Sequence, residues 1–300
     1  MLVAGDWERP GDVGNIDGSG RSPLRTFVAG LGVLFAAVML AAAASARTGG
    51  TSITETAVRG TLKATFSYIR NDDFGYSRPW LTISTAGRVL FDGEPAHCEY
   101  CRVWPYRERH ALSIADIDRD GKPEVMLDTY AGGAHCCLIL YVYSVSGGRI
   151  VHALQKNFAS YGYRKADLDH DGRTEYLTGD SRFDYVFSSF AESFDPVRIL
   201  DYRNGAFVTV TGKFPAEIRK DEQRAWSRYM KFRGLQYDVR GALAGWAADK
   251  YMLREGDEVW PALDQIAATG YLNGFGNPEG RAFLPALQHE LAKDGYLSLR

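Results

Sequence analysis

Two short acidic segments with the same spacing constrain this chain more than any other feature of its sequence. They run from Ala115 to Glu124 and from Ala166 to Glu175, and they align without a gap. Counted from the first Asp, each has Asp at positions 1, 3 and 5, Gly at position 6 and Glu at position 9: Asp116, Asp118, Asp120, Gly121 and Glu124, then Asp167, Asp169, Asp171, Gly172 and Glu175. Four carboxylates so close together repel one another unless a positive charge lies among them.

A hard divalent cation with oxygen ligands would relieve this repulsion, and Gly at position 6 permits the sharp turn that wraps a loop around it. We expect all four carboxylates of each loop to be metal ligands. The backbone carbonyls of Lys122 and Arg173, at position 7, are expected to complete the two shells. Calcium fits better than magnesium, because many flexible oxygen ligands suit the larger ion. The alternative is that both segments are solvated surface turns.

The segments are not EF-hand loops, because Leu127 and Thr178 stand where that loop needs its bidentate Glu at position 12. Apolar residues flank the first loop and predict a strand on each side of it. A calcium loop between two strands, with its last acidic ligand at position 9, resembles the repeat of FG-GAP and VCBS proteins, found in integrin α-chain propellers and in exported bacterial proteins. The resemblance covers roughly residues 80–210 and implies propeller-like antiparallel blades with inter-strand calcium loops.

Three β-hairpins are predicted from turn residues between apolar runs. They span 81–91 with Gly87 at the turn, 138–151 with Gly147-Gly148, and 197–208 with Asn204-Gly205. We therefore expect a mainly β repeat domain over residues 51–213. A closed propeller needs four to eight blades, and this stretch is too short for them. Either two chains complete a ring as a homo-oligomer, or the blades form an open arrangement capped by another part of the chain.

Residues 214–300 are predicted to form an α-helical C-terminal domain. Pro215 is a good first helical residue, and helices are also expected around Val239–Trp246, over Asp257–Ala268 and over Arg281–Lys293. The apolar face expected for the first helix contains Ile218, Ala225, Trp226, Tyr229 and Met230. Aromatic residues at helical spacing indicate a packed core rather than a ligand site.

The N-terminal region predicts export. Residues 27–46 form an uncharged run that follows Arg21 and Arg25 and ends in Ala44-Ser45-Ala46. This pattern is that of a signal peptide with a small-residue cleavage site. A single-span membrane anchor is the alternative, since 20 residues are long enough to cross a bilayer. Residues 1–46 are thus a signal peptide or anchor, and the rest is expected outside the cell or on the outer face of the cytoplasmic membrane.

The four cysteines lie in two pairs beyond the export signal, as Cys98 with Cys101 and Cys136 with Cys137. An oxidising compartment favours disulfides. A bond between adjacent Cys136 and Cys137 would be strained, so we expect the two pairs to be joined to each other. A zinc site is the alternative, because His97 and His135 stand next to the cysteines.

The sequence holds few other candidates for a functional site. His135, in a glycine-containing turn, is either a metal ligand or acid/base group or a solvated residue. Phe183, Tyr185 and Phe187 alternate as along a strand, which suits a packed sheet face or a glycan-stacking platform. The chain has no G-x-S-x-G elbow or P-loop. Its His289-Glu290 pair lacks the second zinc-binding His of a zincin, since Lys293 stands there.

The sequence therefore predicts an exported calcium-binding protein that serves as a binding or scaffold module rather than an enzyme. Its partner would be a protein or a glycan at the cell envelope. The net charge of −2 argues against nucleic acid. The alternative function is an extracytoplasmic calcium-dependent hydrolase or lyase that acts on envelope polymers. Replacing Asp169 with Asn would separate the two. If the ion is structural, the melting temperature should change. If the protein is an enzyme, turnover should be lost while the melting temperature in saturating calcium stays largely the same.

Overall fold

The computed structural model describes residues 50–71, 75–95, 104–107, 110–133 and 135–299. The predicted signal peptide or anchor, residues 1–46, lies outside this part of the chain, as do Cys98 and Cys101. All of these described residues belong to one compact unit. None of the α-helices in the described ranges combines the length and the apolar character needed to cross a bilayer.

The first two thirds of this unit form three antiparallel sheets. The first is a meander in the order β1-β2-β3-β4, with strands Thr51–Arg59, Leu62–Arg70, Tyr76–Thr85 and Arg88–Gly93. The second has the order β5-β7-β8-β9, with β6 also paired to β7; its strands are Trp104–Pro105, Leu112–Ala115, Glu124–Gly133, Cys136–Ser146 and Arg149–Asn157. The third has the order β10-β11-β12-β13, with strands Arg164–Ala166, Glu175–Gly179, Val197–Arg203 and Ala206–Thr209.

Strands β7 and β8 of the second sheet are buried on both faces, and successive side chains of each strand point to alternate faces. Val125 and Leu127 of β7 join the core shared with the first sheet. Met126, between them, joins the core shared with Tyr176 and Tyr202 of the third sheet. The three sheets are thus stacked in chain order, and no closed barrel or propeller forms within the described residues.

Four α-helices follow, which confirms the predicted change from strands to helices. They are α1 Pro215–Leu235, α2 Arg240–Met252, α3 Val259–Ala268 and α4 Phe283–Lys293. The outer face of the third sheet contacts them, since Ile199 packs with Phe214 and Ile218. Trp226 and Tyr229 lie in the helical core, whereas the expected Met230 is 49% exposed. The predicted apolar face was therefore wrong at Met230, which lies beyond the edge of the buried stripe.

The strand predicted around Phe183 and Phe187 was wrong. Residues Ser181–Phe183 form a short 3-10 helix, and turns follow until β12 begins. Phe183 and Phe187 are buried in the core of the helices, while Tyr185 between them is 56% exposed. The segment therefore inserts Phe183 and Phe187, which are four residues apart, into the helical core and does not pair in a sheet.

Candidate metal centre

Each acidic loop connects two neighbouring antiparallel strands. The first joins β6 to β7, where Ala115 is paired with Glu124. The second joins β10 to β11, where Ala166 is paired with Glu175. The Glu at position 9 is thus the first residue of the returning strand in both loops. This register holds the two ends of each loop together and brings position 9 back towards position 1.

The backbone of the two loops has the same shape. Arg119 and His170, both at position 4, have left-handed conformations with φ of 58°. Gly121 and Gly172, both at position 6, have φ of 83° and 80°. Glycine adopts this conformation without the steric cost that a Cβ brings. The Gly of the repeat is therefore required by the turn itself.

The acidic side chains hold the turns through backbone N–H groups. At position 9, Glu124 Oε2 accepts a hydrogen bond from the Ile117 N–H at 3.1 Å, and Glu175 Oε2 accepts one from the Leu168 N–H at 2.7 Å. At position 1, Asp116 and Asp167 accept hydrogen bonds from the glycine N–H groups of position 6, at 3.1 and 3.0 Å. The same donors and acceptors recur in both loops, so the repeat extends to atomic detail.

Positions 1, 3 and 9 converge in each loop. One carboxylate oxygen from each residue of the group lies within 4.8 Å of the others. The two groups are Asp116, Asp118 and Glu124 in the first loop and Asp167, Asp169 and Glu175 in the second. Oxygens on opposite sides of a calcium ion lie about 4.6–5.2 Å apart, because each is about 2.3–2.6 Å from the metal. The spacing therefore suits three ligands of one ion.

The electrostatics of the first loop favour a positive charge at this point. Glu124 is only 2% exposed. Its burial, and then the charges of Asp118, Asp120 and Asp116, raise the pKa of Glu124 to about 7, against the effect of its backbone hydrogen bond. Burial and nearby carboxylates also raise the pKa of Glu175. In both loops a cation beside the position-9 carboxylate would therefore stabilise its charged form.

One oxygen in the first loop lacks a donor. Asp116 Oδ1 is buried and has no hydrogen-bond partner in the described part of the chain. Buried carboxylate oxygens are nearly always paired with a donor or a cation. The orphaned oxygen belongs to the three-carboxylate group, so the residues present fit an ion bound there.

Positions 5 and 7 play a different part in the structure. Asp120 and Asp171 are not members of the converging groups. Their Oδ1 atoms accept hydrogen bonds from the N–H groups of Lys122 and Arg173, at 2.7 and 2.8 Å. The position-5 carboxylates and position-7 carbonyls remain predicted ligands.

The two loops contact each other, which their separation in sequence did not indicate. Arg119 Nη1 of the first loop donates to the carbonyl oxygen of Asp171 in the second, at 2.7 Å. The guanidinium lies against Gly172, where a Cβ would collide with it. The Thr174 N–H also points to the Ile117 carbonyl, at 3.5 Å. Both candidate sites thus belong to one continuous surface.

The cysteine predictions fall mostly outside the described residues. Cys137 is disulfide-bonded and 8% exposed. The side chains of Cys98, Cys101 and Cys136 are not described. The pairing between the two cysteine clusters, with zinc as its alternative, therefore stays a prediction.

His135 packs among aromatic residues. Its ring stacks on Phe190 with the centroids 4.0 Å apart, and its Nδ1 is hydrogen-bonded to the Tyr185 hydroxyl. Among the described residues, the groups that could hold a metal are the two in the acidic loops, and His135 is in neither.

Comparison with known proteins gives two relatives. A protein of Synechocystis sp. named "Probable thylakoid lumen protein sll0997" is 31% identical over 212 residues, which cover 68% of this chain and 60% of that protein. A protein of Sinorhizobium fredii named "Uncharacterized protein y4bJ" is 26% identical over 223 residues, covering 68% of this chain and 32% of that one. The chain thus spans less than two thirds of either relative. No family model and no solved structure matches it.

Proposed function

We propose that this chain is an exported protein whose two acidic loops each bind one calcium ion. The observation that carries the proposal is the repetition of one geometry in two loops that belong to different sheets. Both loops have the same left-handed positions, the same hydrogen bonds and the same three converging carboxylates. A surface turn needs no such convergence, because carboxylates exposed to water separate to reduce their repulsion.

Calcium is proposed rather than magnesium because of the donor set. The converging ligands are carboxylate oxygens on a glycine-containing loop, and calcium tolerates the irregular geometry of such a loop. Magnesium demands nearly ideal octahedral coordination at shorter distances. The bound ion would neutralise the carboxylates and hold each turn rigid between its two strands.

We further propose that the loops belong to the FG-GAP and VCBS class of calcium repeats. In both places the loop joins adjacent strands of one antiparallel sheet and ends on a Glu that begins the returning strand. The stacking of three sheets in chain order supports a propeller-like arrangement that stays open.

Export is supported by the apolar run of residues 27–46 and by the name of the Synechocystis relative, which places that protein in the thylakoid lumen. We propose that this chain also works outside the cytoplasm, as a calcium-stabilised binding or scaffold module at the cell envelope. A structural ion and a stack of sheets with exposed edges suit a module that presents a surface to a protein or glycan.

Thermal melting of the purified full chain tests the calcium proposal. We expect calcium to raise the melting temperature of EDTA-treated protein more than magnesium does, because an ion that binds only the folded state stabilises it by about 2.7 kcal/mol at a hundredfold excess over Kd. Asp118→Asn and Asp169→Asn should each remove part of the rise. The exposed Asp257, outside both loops, offers the matched control Asp257→Asn. Equal responses to both ions, or none, would refute the proposal.

A further inference from the structure

A cleft with a volume of about 700 Å³ lies between the third sheet and α1. Its walls come from the segment before β10, the end of β11, the segment before β12 and one face of α1. We name it the Asp195 cleft. It uses none of the residues of the acidic loops, so it is independent of the calcium proposal.

Asp195 is the most unusual residue of this cleft. It is 9% exposed, and no N–H or hydroxyl donor of the described residues reaches either of its carboxylate oxygens. Gly179, at the end of β11, lies directly beneath it, and a Cβ there would stand 2.7 Å from the Asp195 Cβ. Because Gly179 has no side chain, there is room for Asp195 at the wall of the cleft.

Two neighbours of Asp195 also have unmatched polar atoms. Asp184 Oδ1 is buried without a partner in the described chain, and so is Arg228 Nε. Asp184 and Asp195 approach each other, so a hydrogen bond between them requires a proton on one of the two carboxyls. Burial, followed by the Asp184 charge, raises the pKa of Asp195 to about 8, so one such proton is held near neutral pH.

That shared proton satisfies one oxygen of each carboxyl. The second oxygen of Asp195 then still lacks a donor, and Arg228 Nε still lacks an acceptor. A cation would serve Asp195 but cannot accept from Arg228, and an anion would serve Arg228 but cannot donate to Asp195. A hydroxyl group does both, because it has one donor hydrogen and two acceptor lone pairs.

Most of the remaining charges near the buried carboxyl pair are matched within the protein. Arg224 forms an ion pair with Asp221, and Lys220 forms one with Glu217. With one proton on the carboxyl pair, the charge of Arg228 is balanced as well. Arg164, a second and more distant partner of Glu217 at 3.8 Å, is the one cation in excess, and its side chain is 62% exposed to water. The buried end of the cleft therefore favours a neutral ligand.

An aromatic side chain stands at the cleft. Tyr161 lines it and is 46% exposed, while its ring packs against Phe190 with the centroids 5.9 Å apart. The ring is thus held in place with part of its surface free. Such a ring provides apolar area for the C–H face of a polyhydroxylated ring, next to polar groups that fix its orientation.

We propose that the Asp195 cleft binds a neutral saccharide. One sugar hydroxyl donates to Asp195 and accepts from Arg228 Nε, and the sugar ring lies against Tyr161. This assignment gives the buried polar atoms of the cleft the partners that the chain itself does not supply.

Saturation-transfer-difference NMR on the purified full chain tests this proposal with four probes: cellobiose, maltose, N,N′-diacetylchitobiose and the polycation spermidine. We expect at least one of the saccharides to bind, and Asp195→Asn and Tyr161→Ala each to weaken its binding by about tenfold or more. Tyr237→Ala removes another half-exposed ring that is not part of the cleft and should leave binding unchanged.

Melting curves with and without calcium show whether each variant is folded. If no saccharide binds at about 10 mM, the range of weak millimolar affinity, the proposal is wrong. It is also wrong if only spermidine binds, or if saccharide binding survives both Asp195→Asn and Tyr161→Ala in folded protein. None of these results bears on the calcium response, so the two proposals fail separately.

Discussion

Arg119 and Gly172 show at the scale of single residues how the two acidic loops depend on each other. The Arg119 side chain extends from the first loop and covers Gly172 of the second. Its guanidinium donates a hydrogen bond to the backbone carbonyl of Asp171. Gly121, at the same position in the first loop, has open space around the site of a Cβ. The two glycines therefore share a backbone requirement and differ in their surroundings.

Replacing these glycines by alanine should separate the two effects. Both variants put a Cβ on a left-handed residue, which costs about 1–2 kcal/mol of stability. Gly172→Ala must also displace the Arg119 side chain, so we expect its melting temperature to fall further than that of Gly121→Ala. Thermal melts in EDTA compare the two without contributions from bound ions.

The variant Arg119→Ala provides the control for this comparison. In that background Gly172→Ala should cost no more than Gly121→Ala does, because the collision is gone. If Gly172→Ala remains the more damaging change after Arg119 is removed, the described contact between the loops is not the cause.

At the scale of elements, strands and helices could be predicted wherever the signal is local. Turn glycines mark the hairpins at Gly87, at Gly147-Gly148 and at Asn204-Gly205, and each lies between two paired strands. Pro215 begins α1 as its fixed φ suggests. These residues set backbone conformation directly, so the fold around them could be predicted before any tertiary contact was known.

Alternation of aromatic residues was a poorer guide in the segment before β12. The sequence around Phe183 has the period of a strand, yet the segment makes turns between the third sheet and the helices. What decides its conformation is α2, where Gly241 and Gly245 leave room for it: a Cβ on either would meet side-chain and backbone atoms of residues 188–194. A tertiary contact of this kind has no periodic signature.

The fit of this segment against α2 predicts opposite effects for two glycine substitutions. Gly245→Ala places a Cβ against the Phe194 side chain and 3.0 Å from its carbonyl oxygen, so we expect a loss of about 1–3 kcal/mol. Gly234→Ala, in α1, meets nothing within 4 Å and should gain about 0.5–1 kcal/mol from helix propensity. Urea unfolding measures both. A gain from Gly245→Ala would contradict the described packing.

An ion cluster links α1 to the end of α2 and should make stability depend on pH. Glu255 pairs with Arg219, and it accepts a hydrogen bond from Lys250 Nζ at 2.8 Å. Arg219 first, and then Lys250, lower the pKa of Glu255 from 4.5 to about 2. A carboxylate with a lowered pKa stabilises the folded state above its unfolded pKa and loses that effect as the pH falls.

We therefore expect wild-type protein to exceed Glu255→Gln in melting temperature above about pH 4.5. The difference should shrink as the pH falls towards 2. Glu258→Gln removes the more exposed partner of Lys250 and serves as the control. A difference between wild type and Glu255→Gln that is constant over this pH range would show that Glu255 acts through packing rather than charge.

At the scale of the whole molecule, the order of the layers explains why the loops meet. The second sheet lies between the first and the third, so β6–β7 and β10–β11 belong to neighbouring layers. Their connecting loops carry Ile117 and Leu168 at position 2. Ile117 is buried between the second and third sheets, and Leu168 packs at the third sheet's other face.

The sequence could indicate the loop that holds each carboxylate group, because all of its members lie within nine residues. It did not separate Asp120 and Asp171, which lie outside the converging groups, from the other carboxylates. It could not indicate the contact between loops, which depends on how separate sheets stack. The Asp195 cleft was missed for the same reason: Tyr161, Gly179, Asp195 and Arg228 come from four separate segments and share no motif. Residue spacing predicts a site only where one short segment of the chain supplies all of its residues.

Calcium titration calorimetry on the EDTA-treated full chain tests the central claim most directly. We expect two calcium ions per chain, one for each three-carboxylate group. Asp118→Asn and Asp169→Asn should each leave a single site, and the double variant should bind none. Absence of binding by the wild type, or two sites that persist in the double variant, would contradict the assignment of the acidic loops as calcium sites.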